Sequence, residues 1–135
     1  MFEAKLHIRA AGVDAHDGAT FKRLSPVDGA PVTIAAAASP HDARNAANAA
    51  AAGFARWRET PAARKSEILL TARDRLVAHT DELVDIGLRE LGATPDWIRF
   101  NIAIASRVFD EAAKLPERID AWSKTSEKDG ITSIQ

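Results

Sequence analysis

The densest run of reactive side-chain types is the pentapeptide DAHDG, which sets Asp14, His16 and Asp17 together. An imidazole between carboxylates is the material of general acid–base catalysis. In a glycine-containing loop the same residues also make hydrogen-bonded turns, the commoner use of such a stretch. His7, His41 and His79 are scattered through strand, loop and helix segments. No two histidines stand four apart on one helix, the spacing that aims two imidazoles at one metal. Glu82, Asp85, Glu90 and Asp96 read as solvated helix faces and ends. Arg56, Arg58, Arg64 and Lys65 gather across a helix junction. The first two complement the negative end of a helix, with phosphate as a second candidate partner. With no cysteine the chain offers no thiolate nucleophile, no disulfide and no cysteine-based zinc site. GATFKRLSPVDG does not pass from strand to helix as a phosphate-cradling loop must. No catalytic, cofactor-binding or metal-binding residue is assigned.

The elements that carry these residues belong to a chain of 135 residues, long enough for one domain with a sizeable core. Hydrophobic residues make up 46% and charged residues 27%, ordinary for a globular protein. A net charge of −1 supplies no field to draw nucleic acid or anionic lipid. No apolar run reaches the length of a membrane span, and MFEAKLHIRA lacks the apolar core of a signal peptide. The expected location is cytoplasmic, with neither nucleic acid nor membrane as a partner.

Residues 1–38 read as strands and turns. KLHIR alternates Leu6 and Ile8 with polar neighbours, and ATFKRL and PVTIA flank the turn-rich SPVDGAP. A small β-hairpin or meander is expected, too small to stand without something to pack on. Residues 39–119 read as about four helices. Ser39, Pro40 and Asp42 form a helix start, with a cap, a first-position proline and an acid near the positive end. Ala43, Ala46, Ala47, Ala50, Phe54 and Trp57 then make a narrow stripe, expected to admit a close helix contact around Gly53. Thr60-Pro61 opens the second helix, with Ile68, Leu69, Ala72 and Leu76 on one face and Leu70 and Val77 nearly opposite. Thr80 reads as the cap of the third.

The stretch RELGATPDWIRFN ends that helix and begins another. Gly92 suits the left-handed position past a helix end, and Thr94-Pro95 a new start. On the wheel of the last helix, Thr94 to Leu115, Trp97, Phe100, Ile104, Val108 and Leu115 are continued by Ile98, Ile102, Ala105, Phe109 and Ala113. The apolar arc is about 220° wide, where a surface helix shows roughly 100°. Such a helix wants two partners, and one is expected to be missing. Asn101 falls within the arc, where a buried amide needs a neighbouring backbone group or a ligand. Pro116 ends or kinks the helix, and Ile119 and Trp122 are expected to add one more turn. Residues 120–135 read as a polar loop, SKTSEKDG, and a strand-like end, ITSIQ, that expects more chain to follow.

GATFKRLSPVDGAPV, DARNAANAAAAGFARWRETPAARKSEILLTARDRL and ELGATPDWIRFN occur in the order seen near the N-terminus of aldehyde dehydrogenases. The chain resembles that family over residues 18–115. Glu90-Leu91-Gly92 looks like the family's Glu-Thr-Gly segment, with leucine in place of threonine. The stretch with Trp97, Phe100 and Asn101 looks most like members acting on aromatic aldehydes, such as benzaldehyde, salicylaldehyde and vanillin dehydrogenases.

The resemblance implies an α/β fold in which this stretch, mainly α with a small N-terminal β-hairpin, is an incomplete part of a Rossmann-like nucleotide-binding domain. It implies a longer chain that oxidises an aldehyde to a carboxylic acid with NAD or NADP. The cysteine, the glutamate and the nucleotide-contacting residues all come later in the family's chains. This chain alone is therefore expected to bind no cofactor and to be inactive. Its expected partner is the remainder of the dehydrogenase chain, in a homo-oligomer when full length, with residues 120–135 leading towards an oligomerisation hairpin. The alternative is a stand-alone helical protein-interaction module derived from that scaffold.

Overall fold

A computed structural model describes residues 1–122, 126–128 and 131–133, with side chains through Ile119. The chain gathers into two compact units, Met1–Glu59 with Glu82–Pro95, and Thr60–Asp81 with Asp96–Gln135.

The first unit holds two small sheets and two helices. Strands β1 (Phe2–Ala4), β4 (Thr20–Leu24) and β5 (Pro31–Ala36) form one sheet in the order β1-β5-β4. β4 and β5 are the expected hairpin, paired antiparallel with Phe21 opposite Ala35. Gly29, at φ 74°, closes its turn, where Ser25 N donates to Ala30 O at 2.8 Å. β1 runs parallel to β5, with Phe2 opposite Thr33. Strands β2 (Leu6–Ile8) and β3 (Ala11–Val13) form a second hairpin. Its two turn residues, Arg9 and Ala10, have φ values of 56° and 61°. Two left-handed central residues match the twist of a tight hairpin but strain any residue with a Cβ.

Helix α1 (Pro40–Glu59) follows β5. Ser39 and Asp42 cap each other: the Ser39 N–H and Oγ–H donate to Asp42 Oδ2 at 2.8 and 2.7 Å, and Asp42 N donates to Ser39 Oγ at 3.3 Å. The alanine stripe does not carry the expected helix contact. Ala47, Ala50 and Phe54 are exposed, and a Cβ built at Gly53 meets nothing within 4 Å. The first turns lie beside β2 instead, where Ala43 and Ala46 border a cavity of about 180 Å³ with Leu6 and Ile8. Helix α3 (Thr80–Leu91) ends as the sequence predicts. Gly92 sits at φ 64° and its N–H reaches Leu88 O at 3.1 Å, the left-handed helix cap.

The second unit is built from α2 (Ala62–Ala78), α4 (Pro95–Ala112) and the short α5 (Leu115–Trp122). α2 packs against α5. Thr80 does not cap α3, because its hydroxyl donates to Val77 O at 2.6 Å and so closes the end of α2. The last long helix stops at Ala112 rather than Leu115, with Lys114 N donating to Glu111 O at 3.1 Å in the turn that follows. Pro116 falls in the first turn of α5, where its missing N–H breaks no intrahelical bond. The expected polar loop contains a strand: β6 (Ser126–Lys128) pairs antiparallel with β7 (Ile131–Ser133). The remainder of that loop and of the closing strand, residues 123–125, 129–130 and 134–135, lies outside the described residues. No helix among the described residues is long and apolar enough to cross a membrane.

Candidate functional site

The DAHDG stretch folds as a turn. Gly18 N donates to Ala15 O at 2.8 Å and Asp17 Oδ1 accepts from Ala19 N at 3.0 Å. The His16 N–H is shared between both oxygens of Asp42, at 3.1 and 3.2 Å. Asp42 is thus a buried carboxylate surrounded by donors. The Ser39 N–H and hydroxyl, and then the His16 N–H, hold it below the usual carboxylate range. His16 stacks on His41 with ring centroids 4.0 Å apart. His7 is exposed, and His79 Nδ1 is bonded to Arg75 O at 2.7 Å within its own helix. Among the described residues no three His, Cys, Asp or Glu side chains gather as metal ligands would.

The acidic helix positions divide. Asp85 pairs with Arg89 at 2.8 Å and Asp96 with Arg99 at 3.6 Å, both solvated. Glu90 is not the solvated end that the sequence predicts. Its side chain is 17% exposed, accepts from the Thr33 hydroxyl, and faces Arg23 Nε at 3.3 Å. The sequence holds no local signal for this tie, because Glu90 and Thr33 are 57 residues apart. The basic patch also divides between the units: Arg58 pairs with Glu59 at 2.9 Å and Arg64 with Glu67 at 2.6 Å.

Helix α4 carries the feature that remains. Its wide apolar arc splits into two stripes about 130° apart at 100° per residue. Ile98, Ile102, Ala105 and Phe109 make the covered stripe, with Ile102 and the following Ala113 buried. Two bonds to α2 flank it: the Ser66 hydroxyl donates to Ala113 O at 2.6 Å, and Arg73 pairs with Asp110. That pairing, with Asp74 second, raises the Arg73 pKa further above its ordinary value. Trp97, Phe100, Ile104 and Val108 make the other stripe, and they are 58, 55, 45 and 61% exposed. The Trp97 and Phe100 rings lie 5.8 Å apart on it. Further along, Ile104, Val108, Ala112 and Leu115 floor a cavity of about 530 Å³ edged by Arg107, Glu111 and Arg118. Asn101 is exposed beside this stripe rather than buried, and its Nδ2 donates to Trp97 O at 2.7 Å, a bond within the helix.

Small sheets and amphipathic helices in one chain, with α4 covered on one apolar stripe and open on the other, are the parts of an α/β architecture.

That class has a family. Residues 13–135 match the model of the aldehyde dehydrogenase family, and the chain belongs to it. Salicylaldehyde dehydrogenase of Pseudomonas putida is 32% identical over 126 residues, which are 93% of this chain and 26% of that protein. The crystal structure of a salicylaldehyde dehydrogenase from Pseudomonas putida, complexed with salicylaldehyde, matches with a TM-score of 0.86 and 31% identity, over 96% of this chain and 26% of that one. An NAD-dependent benzaldehyde dehydrogenase from Corynebacterium glutamicum matches with a TM-score of 0.84 and 27% identity, over 93% and 27%. The chain thus spans about a quarter of the length of these relatives. It is a fragment of their fold, mainly helical with a small sheet.

Proposed function

We propose that these residues are the N-terminal quarter of an NAD(P)-dependent dehydrogenase that oxidises an aromatic aldehyde to its carboxylic acid. Their part in it is structural: they present a helical layer to the nucleotide-binding sheet and supply no reacting group. The observation that carries this reading is the match over 96% of the chain to a quarter of a salicylaldehyde dehydrogenase. The open stripe of α4, in this reading, is the flank that the rest of the chain covers. With no cysteine, the chain holds no thiolate to attack a carbonyl carbon.

The residues present do not fit a dinucleotide. The strand-to-helix junction that would hold a pyrophosphate is β5 to α1. It has no glycine run, and the buried carboxylate of Asp42 already takes the Ser39 N–H and hydroxyl there. A phosphate at that helix start would meet a negative charge in place of free donors. The cofactor, whether NAD or NADP, belongs in this reading to later residues, as do the catalytic groups and the contacts of a cytoplasmic homo-oligomer.

The test compares two products of the coding DNA. The frame read beyond Gln135 should contain a cysteine and a glutamate in a nucleotide-binding and catalytic context. Its full-length product should form NADH or NADPH with salicylaldehyde, benzaldehyde or vanillin. The chain of 135 residues alone should do no better than a heat-treated control. Turnover by the short chain would overturn the structural assignment. A full-length product active only on aliphatic aldehydes would overturn the substrate class.

A further inference from the structure

A cavity of about 550 Å³ lies among the β2–β3 hairpin, the turn after β3 and the start of α1, and all of its lining belongs to the first unit. Its size is that of a small-molecule site. Ile8 and Val13 give it an apolar wall. The ring of His16 lines it, and the ring of His41, with its centroid 4.0 Å away, backs that ring. Asn45 Nδ2 holds His41 Nδ1 at 3.2 Å, so the aromatic platform is braced on α1. Three charged side chains complete the lining, and two are already answered. Asp42 accepts from Ser39 and from the His16 N–H, and Asp14 faces Lys5 Nζ at 3.3 Å. The third, Arg9 in the hairpin turn, forms no ion pair among the described residues.

We propose that this cavity binds an aromatic carboxylate. A guanidinium takes a carboxylate through two parallel hydrogen bonds, and Arg9 has that fork free. A flat ring then finds the imidazole platform to stack on and the apolar wall to bury against. A carboxylate without a ring would use Arg9 alone and leave both surfaces wet. A second negative group on the ligand would meet Asp14 and Asp42, so the ligand is a monoanion, which sets a nucleotide or a dicarboxylate aside. The choice rests on the lining of the cavity and not on the proposed oxidation, although an aromatic acid is also what that oxidation would release.

The experiment is titration calorimetry of the 135-residue chain with benzoate, and with cyclohexanecarboxylate and benzyl alcohol as its ring-less and charge-less counterparts. Benzoate should bind saturably. Benzyl alcohol should bind about tenfold more weakly, for want of the charge-assisted bonds, and cyclohexanecarboxylate about threefold, for want of a flat face. Arg9→Gln should weaken benzoate about tenfold, and Arg9→Lys, which keeps the charge without the fork, should fall between. His16→Ala should bring benzoate and cyclohexanecarboxylate to equal affinity. Arg9 has no ion pair to lose, and His16 reaches Asp42 through its backbone N–H, so these variants keep their fold, which circular dichroism verifies. The comparison of the three ligands on the unaltered chain needs no variant at all. No saturable heat with benzoate, equal affinity for all three ligands, or unchanged binding in Arg9→Gln would each overturn the proposal. The measurement involves no turnover, so its failure is separate from that of the proposed function.

Discussion

The hydroxyl of Thr33 on β5 donates to the carboxylate of Glu90 in the last turn of α3. Thr33 is 2% exposed, the most deeply buried of the described side chains. Arg23, on the neighbouring strand β4, reaches the other oxygen of Glu90 at 3.3 Å. One carboxylate thus ties both strands of the hairpin to a helix that begins 44 residues after β5 ends. A two-stranded hairpin is marginal alone, so this tie and the parallel pairing of β1 give it something to stand on.

Glu90→Ala should destabilise the chain by about 1–3 kcal/mol, because it leaves a buried hydroxyl with no acceptor. The double change Glu90→Ala with Thr33→Val should cost less than Glu90→Ala, since no buried donor is then stranded. Urea unfolding of the single and double variants checks this. Equal losses would mean that the hydroxyl finds another acceptor.

The start of α1 should be acid-sensitive. The unfolded carboxyl of Asp42 titrates near its ordinary value of about 3.9, and the folded one is lower, held by the Ser39 N–H and hydroxyl and then by the His16 N–H. Such a group adds stability above the unfolded pKa and loses it as pH falls through the folded one. Below about pH 4 the chain should therefore lose stability, and Asp42→Asn should flatten that part of the profile. Thermal melts between neutral and acid pH read it. Ser39→Ala, which removes the reciprocal cap, should cost about 1 kcal/mol. An unchanged acid limb in Asp42→Asn would assign the sensitivity to another group.

Gly92→Ala should be worse than Gly18→Ala, although both glycines sit in the left-handed region, at φ 64° and 72°. The new methyl at position 92 meets Val27 Cγ2 at 3.3 Å and Pro26 Cγ at 3.4 Å, whereas at position 18 it meets nothing within 4 Å. Backbone strain alone is worth about 1–2 kcal/mol. The position 92 variant should exceed the other by the cost of moving the β4–β5 turn. Paired denaturation curves check the order.

What the sequence made legible was local. Ser39, Pro40, Asp42 and Gly92 act within a few residues of where they stand, so the start of α1 and the end of α3 follow from them directly. The hairpin strands were legible for the same reason, through the turn at Gly29. β1 was not: Phe2–Ala4 is three residues long and owes its state to a parallel partner some thirty residues away. The Glu90 tie was hidden because a carboxylate at a helix end looks the same whether water or a buried hydroxyl answers it. The alanine stripe misled because alanine spacing shows that a close approach is allowed, not that a partner is there. Asn101 misled in the opposite sense, since an amide can satisfy itself on the preceding turn and remain in water. The double-sided arc of α4 was legible as an excess of apolar surface, and only the structure divides it into a covered and an open stripe.

That division sets the last prediction. Ile102 and Trp97 lie on the same helix, and a tryptophan carries more apolar surface than an isoleucine. By size alone, truncating Trp97 should cost more. Ile102 is buried on the covered stripe at 9% exposure, however, and Trp97 lies on the open one at 58%. Ile102→Ala should then cost about 2–5 kcal/mol, the range for a core deletion. Trp97→Ala should fall well short of the roughly 3–5 kcal/mol of a buried tryptophan. It should also lower the binding of a hydrophobic dye, since it removes the largest side chain of the exposed patch. Chemical denaturation and dye fluorescence on the two variants decide it. A large stability loss in Trp97→Ala, with dye binding unchanged, would mean that the ring packs inward and that the open stripe begins further along the helix.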